Sequence, residues 1–261
     1  MSDITAIPFE EESAAIKGRV ETYWTKRAES FSALKHEEAH SGKASLWIEE
    51  LTSRLLQRLE SPGTDNPGTG LKILDVGCGA GFFEMLLAPL GYEITGIDLT
   101  SEMIAQAREL AGRHHAGNAQ FLVMDAEQPD FPDETFDAVI SRNLTWTLPH
   151  PVEAYQQWYR VLMPGGVLRN YDAEYAKGFH TYDQAENCAH SGIADELVEE
   201  CHAIYHMLSV SSLQRPAWDL EVLRQIGFRD VTADPSAGDR LYKDKDQFYM
   251  PDRMFGIRAV K

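Results

Sequence analysis

Residues 71–81, LKILDVGCGAG, restrict the fold of this chain more than any other stretch. A short apolar run, Leu71, Ile73, Leu74 and Val76, carries Asp75 near its end, and Gly77, Gly79 and Gly81 then alternate with Cys78 and Ala80. The following run, FFEMLLAPL, is apolar and suits a helix up to Pro89. Strand, tight glycine turn and helix is the order this pattern predicts. Glycines are needed where the backbone takes unusual dihedrals or where a ligand comes closer than a Cβ allows. A second run, YEITGID at 92–98, ends on Asp98, roughly 20 residues beyond the glycines, where an acid can accept both hydroxyls of a ribose. The first implication is a nucleoside-containing cofactor.

A dinucleotide fingerprint requires G-x-G-x-x-G, its third glycine allowing close helix packing beside the pyrophosphate. This chain instead reads D-x-G-x-G-x-G, with Phe82 where a dinucleotide fold places glycine. At this point the sequence resembles the class I S-adenosylmethionine-dependent methyltransferases, in the small-molecule branch, whose first motif is an acidic residue followed by G-x-G-x-G. Further segments agree in order: Asp98 closing strand two, Met124-Asp125-Ala126 after FLV, FDAVISRNL at 136–144, and RVLMPGGVL at 160–168 as a helix–PGG–strand junction. The resemblance covers about 71–170 strongly and the flanks weakly.

The resemblance implies a Rossmann-like α/β fold. Its seven-stranded, mostly parallel sheet has the order 3-2-1-4-5-7-6, with N-terminal helices and a helical lid insertion. The chain then divides into an N-terminal helical cap at 1–60, a cofactor-binding core at 71–176 and 216–261, and, where it leaves the family's pattern, a lid insertion at 177–215. The implied cofactor is S-adenosyl-L-methionine, with S-adenosyl-L-homocysteine as product. Asp75, Gly77, Gly79 and Gly81 would meet its methionine end and ribose, Asp98 and Leu99 the ribose side, and Asp125 with Ala126 the adenine. Met103 is either an adenine contact or an ordinary core residue. Arg142 and Asn143 are placed to touch the methionine moiety. The N/D-P-P-Y/F motif of enzymes that methylate exocyclic amines is missing from SRNLTW at 141–146, which argues against nucleobase amines.

Ahead of the core, IKGRVETYWTKRAES at 16–30 and ASLWIEELTSRLLQRL at 44–59 both suit helices with one apolar side. In methyltransferases of this type a Tyr-Trp-x-x-Arg-like segment covers the methionine end. Tyr23 and Arg27 are therefore candidate ligand contacts, Arg27 as carboxylate partner, or else residues that pack the helix onto the sheet. SPGTDNPGTG at 61–70 reads as a linker. Thr100 or Ser101 can cap the helix EMIAQARELA, and Glu127 reads as a solvated neighbour of Asp125. In the lid, IADELVEECHAIYHMLS aligns Ile193, Leu197, Cys201, Tyr205 and Leu208 on one side. Trp146, Tyr171 and Tyr205 are candidate walls of the acceptor pocket, and residues 236–253 are a further possible border.

Methyl transfer from a sulfonium is an in-line displacement whose leaving thioether needs no acid, so positioning carries most of the catalysis. A general base is required only for a protonated acceptor. His180, His190, His202 and His206 form the pool of candidates, with Asp172 and Glu174 after strand five. Cys188, His190, Cys201, His202 and His206 also cluster in the lid, but Cys188-x-His190 matches no common zinc spacing, and no metal is expected. With a net charge of −17 and no stripe of Lys and Arg, nucleic acid is not an expected partner. No apolar run approaches a membrane span, the acidic N-terminus lacks a secretory signal, and three cysteines form no disulfide framework. A cytoplasmic enzyme acting on a small molecule is the expectation. An S-adenosylmethionine-binding sensor without catalysis is the alternative, and a nicotinamide oxidoreductase the more distant one.

Overall fold

The computed structural model describes residues 10–53, 70–114, 116–178, 187–188 and 192–261. The end of the second expected helix, with Leu55 and Leu59, residues 61–69 of the expected linker, and His180 and His190 lie outside them. At the centre is a seven-stranded sheet of order β3-β2-β1-β4-β5-β7-β6. Its strands are β1 Lys72–Val76, β2 Glu93–Asp98, β3 Gln120–Val123, β4 Phe136–Arg142, β5 Leu162–Asp172, β6 Arg229–Asp234 and β7 Phe255–Val260. The pairs from β3 through β5 are parallel, while β7 runs antiparallel to both β5 and β6. This is the expected strand order.

β1 is buried on both faces, the signature of a central parallel strand. Ile73 joins the core under α3 (Phe82–Leu87) and α4 (Ser101–Arg113). Leu74 and Val76 join the opposite core under α5 (Pro151–Val161) and α8 (Ala217–Ile226). The strand order reverses direction between β1 and β4. That switch point opens a crevice at the carboxyl ends of the strands, where ligands of such sheets bind.

Three helices complete the surroundings of that crevice: α1 (Glu10–Ala39), α2 (Gly42–Leu51) and α7 (Asp195–Met207); α6 (Tyr175–Gly178) and α9 (Ala237–Leu241) are short. α1 runs nine residues beyond the expected end at 30. Ile16 and Tyr23 of α1 share one apolar cluster with Ile204 and Leu208 at the end of α7, so the expected cap and lid pack together as one roof. At α4, Thr100 occupies the cap position but its side chain makes no capping bond; the Asp98 carboxylate takes the Thr100 N–H instead. Among the described residues no helix is long and apolar enough to cross a membrane.

Candidate active site

A cavity lies at the carboxyl ends of β1 to β4. Its floor carries Asp75, Gly77, Gly79, Asp98, Leu99, Met103, Asp125 and Ala126, and its roof carries Tyr23, Trp24, Phe31, Lys35, Cys201 and Tyr205. The glycine turn is fastened to β2, because Gly77 N and Cys78 N both donate to the Ile97 carbonyl at 2.8 and 3.0 Å. Gly77 has φ +71°, and a Cβ there would stand 2.8 Å from Leu144 Cδ1, so this position admits only glycine without rearrangement. Asp98 holds the turn from the other side: Oδ2 accepts from Gly79 N at 3.0 Å and Oδ1 from Thr100 N at 2.9 Å. Burial pushes its carboxyl above the usual range, and those two N–H groups work against the shift.

Asp125 accepts from Glu127 N at 2.8 Å through Oδ1 and from Lys17 Nζ at 2.6 Å through Oδ2. Lys17 also meets Glu127 Oε2 at 2.6 Å, so α1 reaches across the cavity mouth onto two acids. Desolvation pulls Lys17 down, and the hydrogen bonds and charges of both carboxylates outweigh it, leaving its pKa raised. Glu127 is 2% exposed and also accepts from His150 N at 2.6 Å. It is therefore a buried anchor of the roof, not the solvated neighbour its sequence context suggests.

The far end of the cavity is cationic. Lys35 and Arg142 both border it, and both pair with one carboxylate, Glu38, at 2.6 and 2.9 Å. Arg142 Nη2 also bonds the Tyr242 hydroxyl, which in turn donates to Glu38 at 2.5 Å. Burial and the Arg142 charge lower Lys35 to about 8, while Glu38, despite burial, is drawn down to about 2 by Arg142 and Lys35. The Arg142 charge also acts on the buried Asp75, and its guanidinium faces the Trp47 and Phe82 rings, 4.8 Å from each centroid. Arg142 Nε and Nη1 are buried without a hydrogen-bond partner among the described residues. An anion is the group that would complete this end.

A chamber of Trp24, Trp146, Tyr175, Tyr205 and Met250 adjoins the glycine turn within the same cavity. The Trp146 ring lies 4.7 Å from Tyr205 and 5.4 Å from Tyr175, centroid to centroid. Tyr175 donates to Asn143 Oδ1 at 2.6 Å, and Asn143 sits at φ +57° on the bend after β4. Burial raises the Tyr175 and Tyr205 phenols well above their ordinary range, so both stay protonated and act as donors. Trp146 N donates to Asp172 Oδ2 at 3.0 Å, and Asp172 is held by Arg215 at 2.6 Å. That buried pair fixes the loop carrying the Trp146 ring, which makes Asp172 a support and not a free base.

Residues 74–169 match a family described as a methyltransferase domain. These residues form a methyltransferase domain. A malonyl-[acyl-carrier protein] O-methyltransferase of Serratia marcescens is 34% identical over 113 residues, covering 43% of this chain and 41% of that protein. The chain spans less than half the length of the curated relatives it matches. Phosphoethanolamine N-methyltransferase 2 of Haemonchus contortus, solved with phosphomonomethylethanolamine and S-adenosylhomocysteine, shares the fold. Its TM-score is 0.58 at 17% identity, over 92% of this chain and 59% of that one. The [4+2]-cyclase SpnF also shares it, with a TM-score of 0.54 at 20% identity, over 82% and 80% of the two chains.

Of the residues singled out from the sequence, the methyltransferase domain and its roof bring together Tyr23, Asp75, Gly77, Gly79, Asp98, Leu99, Met103, Asp125, Ala126, Arg142, Asn143, Trp146 and Tyr205 around the cavity. Five others go elsewhere. Arg27 does not line it; the Nη1 of this buried residue donates to Ser30 Oγ at 3.0 Å within α1. Gly81 opens α3 at φ +79°, where a Cβ would stand 3.0 Å from the Phe121 ring, so its role is helix packing. Tyr171 is fully buried against Trp47 and bonded to Arg169 and Glu50, away from the cavity. His202 and His206 face one another across 3.2 Å on the outer side of α7 and border no part of the cavity. Lys17, Lys35 and Glu38 were missed, although Phe31, Leu34, Lys35 and Glu38 continue the i, i+3/i+4 spacing that starts at Tyr23 and Trp24.

Proposed function

We propose that the protein transfers the methyl group of S-adenosylmethionine to a small-molecule acceptor, leaving S-adenosylhomocysteine. The observation that carries the reading is a single cavity with acids at two strand tips, a cationic end with orphaned guanidinium donors, and an adjoining aromatic chamber. The residues fit the cofactor. Asp98 has carboxylate lone pairs left for ribose hydroxyls after its two backbone bonds. Asp125 and Ala126 lie at the tip of β3 for the adenine edge, and Gly77 and Gly79 let the backbone approach the sugar and amino-acid part. Arg142 and Lys35 take the carboxylate, the role the sequence suggested for Arg27.

When bound, the cofactor supplies an electrophilic methyl on a sulfonium and leaves as a neutral thioether. The chain's own residues orient the acceptor, and orientation of that kind is worth on the order of 7–11 kcal/mol. Trp24 and Trp146 wall the chamber, and the Tyr175 hydroxyl, its proton given to Asn143, keeps lone pairs that accept from a polar group of the acceptor. The roof helices α1 and α7 exclude water while the carboxyl ends of β1 to β4 hold the cofactor. The relatives named above act on O and N acceptors, and a cyclase shares the fold, so the acceptor follows from the chamber and not from the fold. Cys78 and Cys201, which form no disulfide, suit a reducing cytoplasm.

Calorimetric titration with S-adenosylhomocysteine and separately with NADH tests the cofactor; binding of the first alone is expected. Methyl-tritiated S-adenosylmethionine incubated with protein and cell extract should then label a small-molecule fraction. NADH binding without S-adenosylhomocysteine binding overturns the reading. Binding of S-adenosylhomocysteine with no labelled product in any extract replaces the enzyme by a sensor.

A further inference from the structure

Away from the cavity, α1 and α4 lie side by side in the same direction. Thr25 bonds Glu102, Ser32 bonds Gln106, and His36 and His40 meet His114, three contacts in the same order along both helices. Their C-terminal ends therefore converge, α1 ending at Ala39 and α4 at Arg113. Three imidazoles gather at that point. Ring centroids are 4.5 Å apart for His36 and His40, 4.9 Å for His36 and His114, and 4.4 Å for His40 and His114. One ring nitrogen from each lies within 4.8 Å of the others.

The geometry points to a zinc-type metal site formed by His36, His40 and His114. Imidazole nitrogen is a preferred ligand of borderline divalent ions such as Zn²⁺. His36 in the last turn of α1 and His40 in the turn just past its end stand at i, i+4, with ring centroids 4.5 Å apart. His40 Nδ1 lies 2.7 Å from the His36 carbonyl and donates to it, which leaves Nε2 as the ligand atom and fixes its ring. Tetrahedral bonds of about 2.05 Å place ligand nitrogens about 3.3 Å apart, so the rings close by at most about 1.5 Å from their 4.8 Å span. Two helix C-termini add partial negative charge from their last carbonyls, which favours a cation there over neutral packing. Three protein ligands leave a fourth position for water. The bound ion pins the roof helix α1 to α4, whose first turn carries the cavity residue Met103, so it acts as a clamp on the cofactor cleft and not as a reagent in it.

The test uses the full chain, freed of any affinity tag and treated with chelator, titrated with ZnCl₂ at neutral pH. The wild type should take up one Zn²⁺ per chain with micromolar or tighter affinity and melt at a higher temperature with the ion. His114→Ala, checked for native circular dichroism, should bind at least 100-fold more weakly and lose that thermal shift. His202→Ala, which breaks the other histidine pair, should keep both. Anomalous scattering at the zinc edge should place the peak among His36, His40 and His114. No stoichiometric uptake, uptake that survives His114→Ala, or a peak at His202 and His206 each overturns the site.

Discussion

The floor and the roof of the cavity are held by different physics. The floor is made of backbone: Gly77 N, Cys78 N, Gly79 N and Thr100 N bind groups within the adjoining strand ends, so the local sequence D-x-G-x-G-x-G and one acid suffice to build it. The roof is made of long-range side-chain pairs, Lys17 to Asp125 and Glu127, Glu38 to Arg142, and Arg19 to Glu200, each joining positions about a hundred or more residues apart. A floor of that kind tolerates change around it. In a roof of that kind the buried pairs should matter more than the exposed one, and losing them should alter access before it alters the fold.

The largest effect is expected at the support between the two. Arg215 is 2.6 Å from Asp172 and 2.8 Å from Asp219, and both acids are fully buried. Arg215→Ala leaves two desolvated carboxylates without a countercharge, a loss of about 3–5 kcal/mol. Urea unfolding should show the loss as a lower midpoint at unchanged slope. A loss under about 1 kcal/mol would mean water reaches the pair and the Trp146 loop is not held from below.

Next comes the floor. Asp98→Ala removes two hydrogen bonds to a ribose, each worth about 1.5–3 kcal/mol when the acceptor is charged. S-adenosylhomocysteine should bind about 100-fold or more weakly by calorimetry, with circular dichroism unchanged. Asp98→Asn keeps the tie to Gly79 and should lose less. Wild-type affinity in Asp98→Ala would remove the ribose assignment.

At the cationic end the two walls can be compared by pH. Lys35 has its pKa lowered to about 8 by burial and by Arg142. Its charge is present below that value and is lost as pH rises through it, so affinity for a carboxylate-bearing ligand should fall above pH ~8. Lys35→Met should bind about 10-fold more weakly at pH 7, in line with one charged hydrogen bond of about 1.5 kcal/mol, and lose that pH dependence. Arg27→Met, on the same helix but bonded to Ser30, should change neither.

The contrast also explains what the sequence makes legible. Strand order and the placement of Asp98, Asp125 and the glycine turn follow from apolar runs and turn residues that are contiguous in the chain. The length of α1 does not, because its inward face carries Arg27, Lys35 and Glu38, and the Arg142 and Tyr242 that receive Glu38 lie far along the chain. Arg27 and Lys35 are both buried cations of α1, and sequence alone does not tell which borders the ligand. Tyr171 reads as a pocket residue, but alternation along β5 turns it toward Trp47 and α2. His36, His40 and His114 are invisible as a set until α1 and α4 are known to run in the same direction.

The smallest effect should come from the exposed clasp of the roof. Arg19 and Glu200 form a two-bond pair, Nε to Oε1 at 2.8 Å and Nη2 to Oε2 at 2.7 Å, joining α1 to α7, with side chains 39% and 33% exposed. Exposed pairs of this kind contribute about 0–1 kcal/mol and are screened by salt. Arg19→Ala should therefore lower the melting temperature by no more than a few degrees, with the difference from wild type shrinking in 1 M NaCl. Its affinity for S-adenosylhomocysteine should change less than about 3-fold, since the apolar contact of Ile16 and Tyr23 with Ile204 still holds the helices together. A tenfold loss that salt reproduces in the wild type would show the reverse: that the clasp and not the apolar seam keeps the roof closed, and that closure is set by ionic strength.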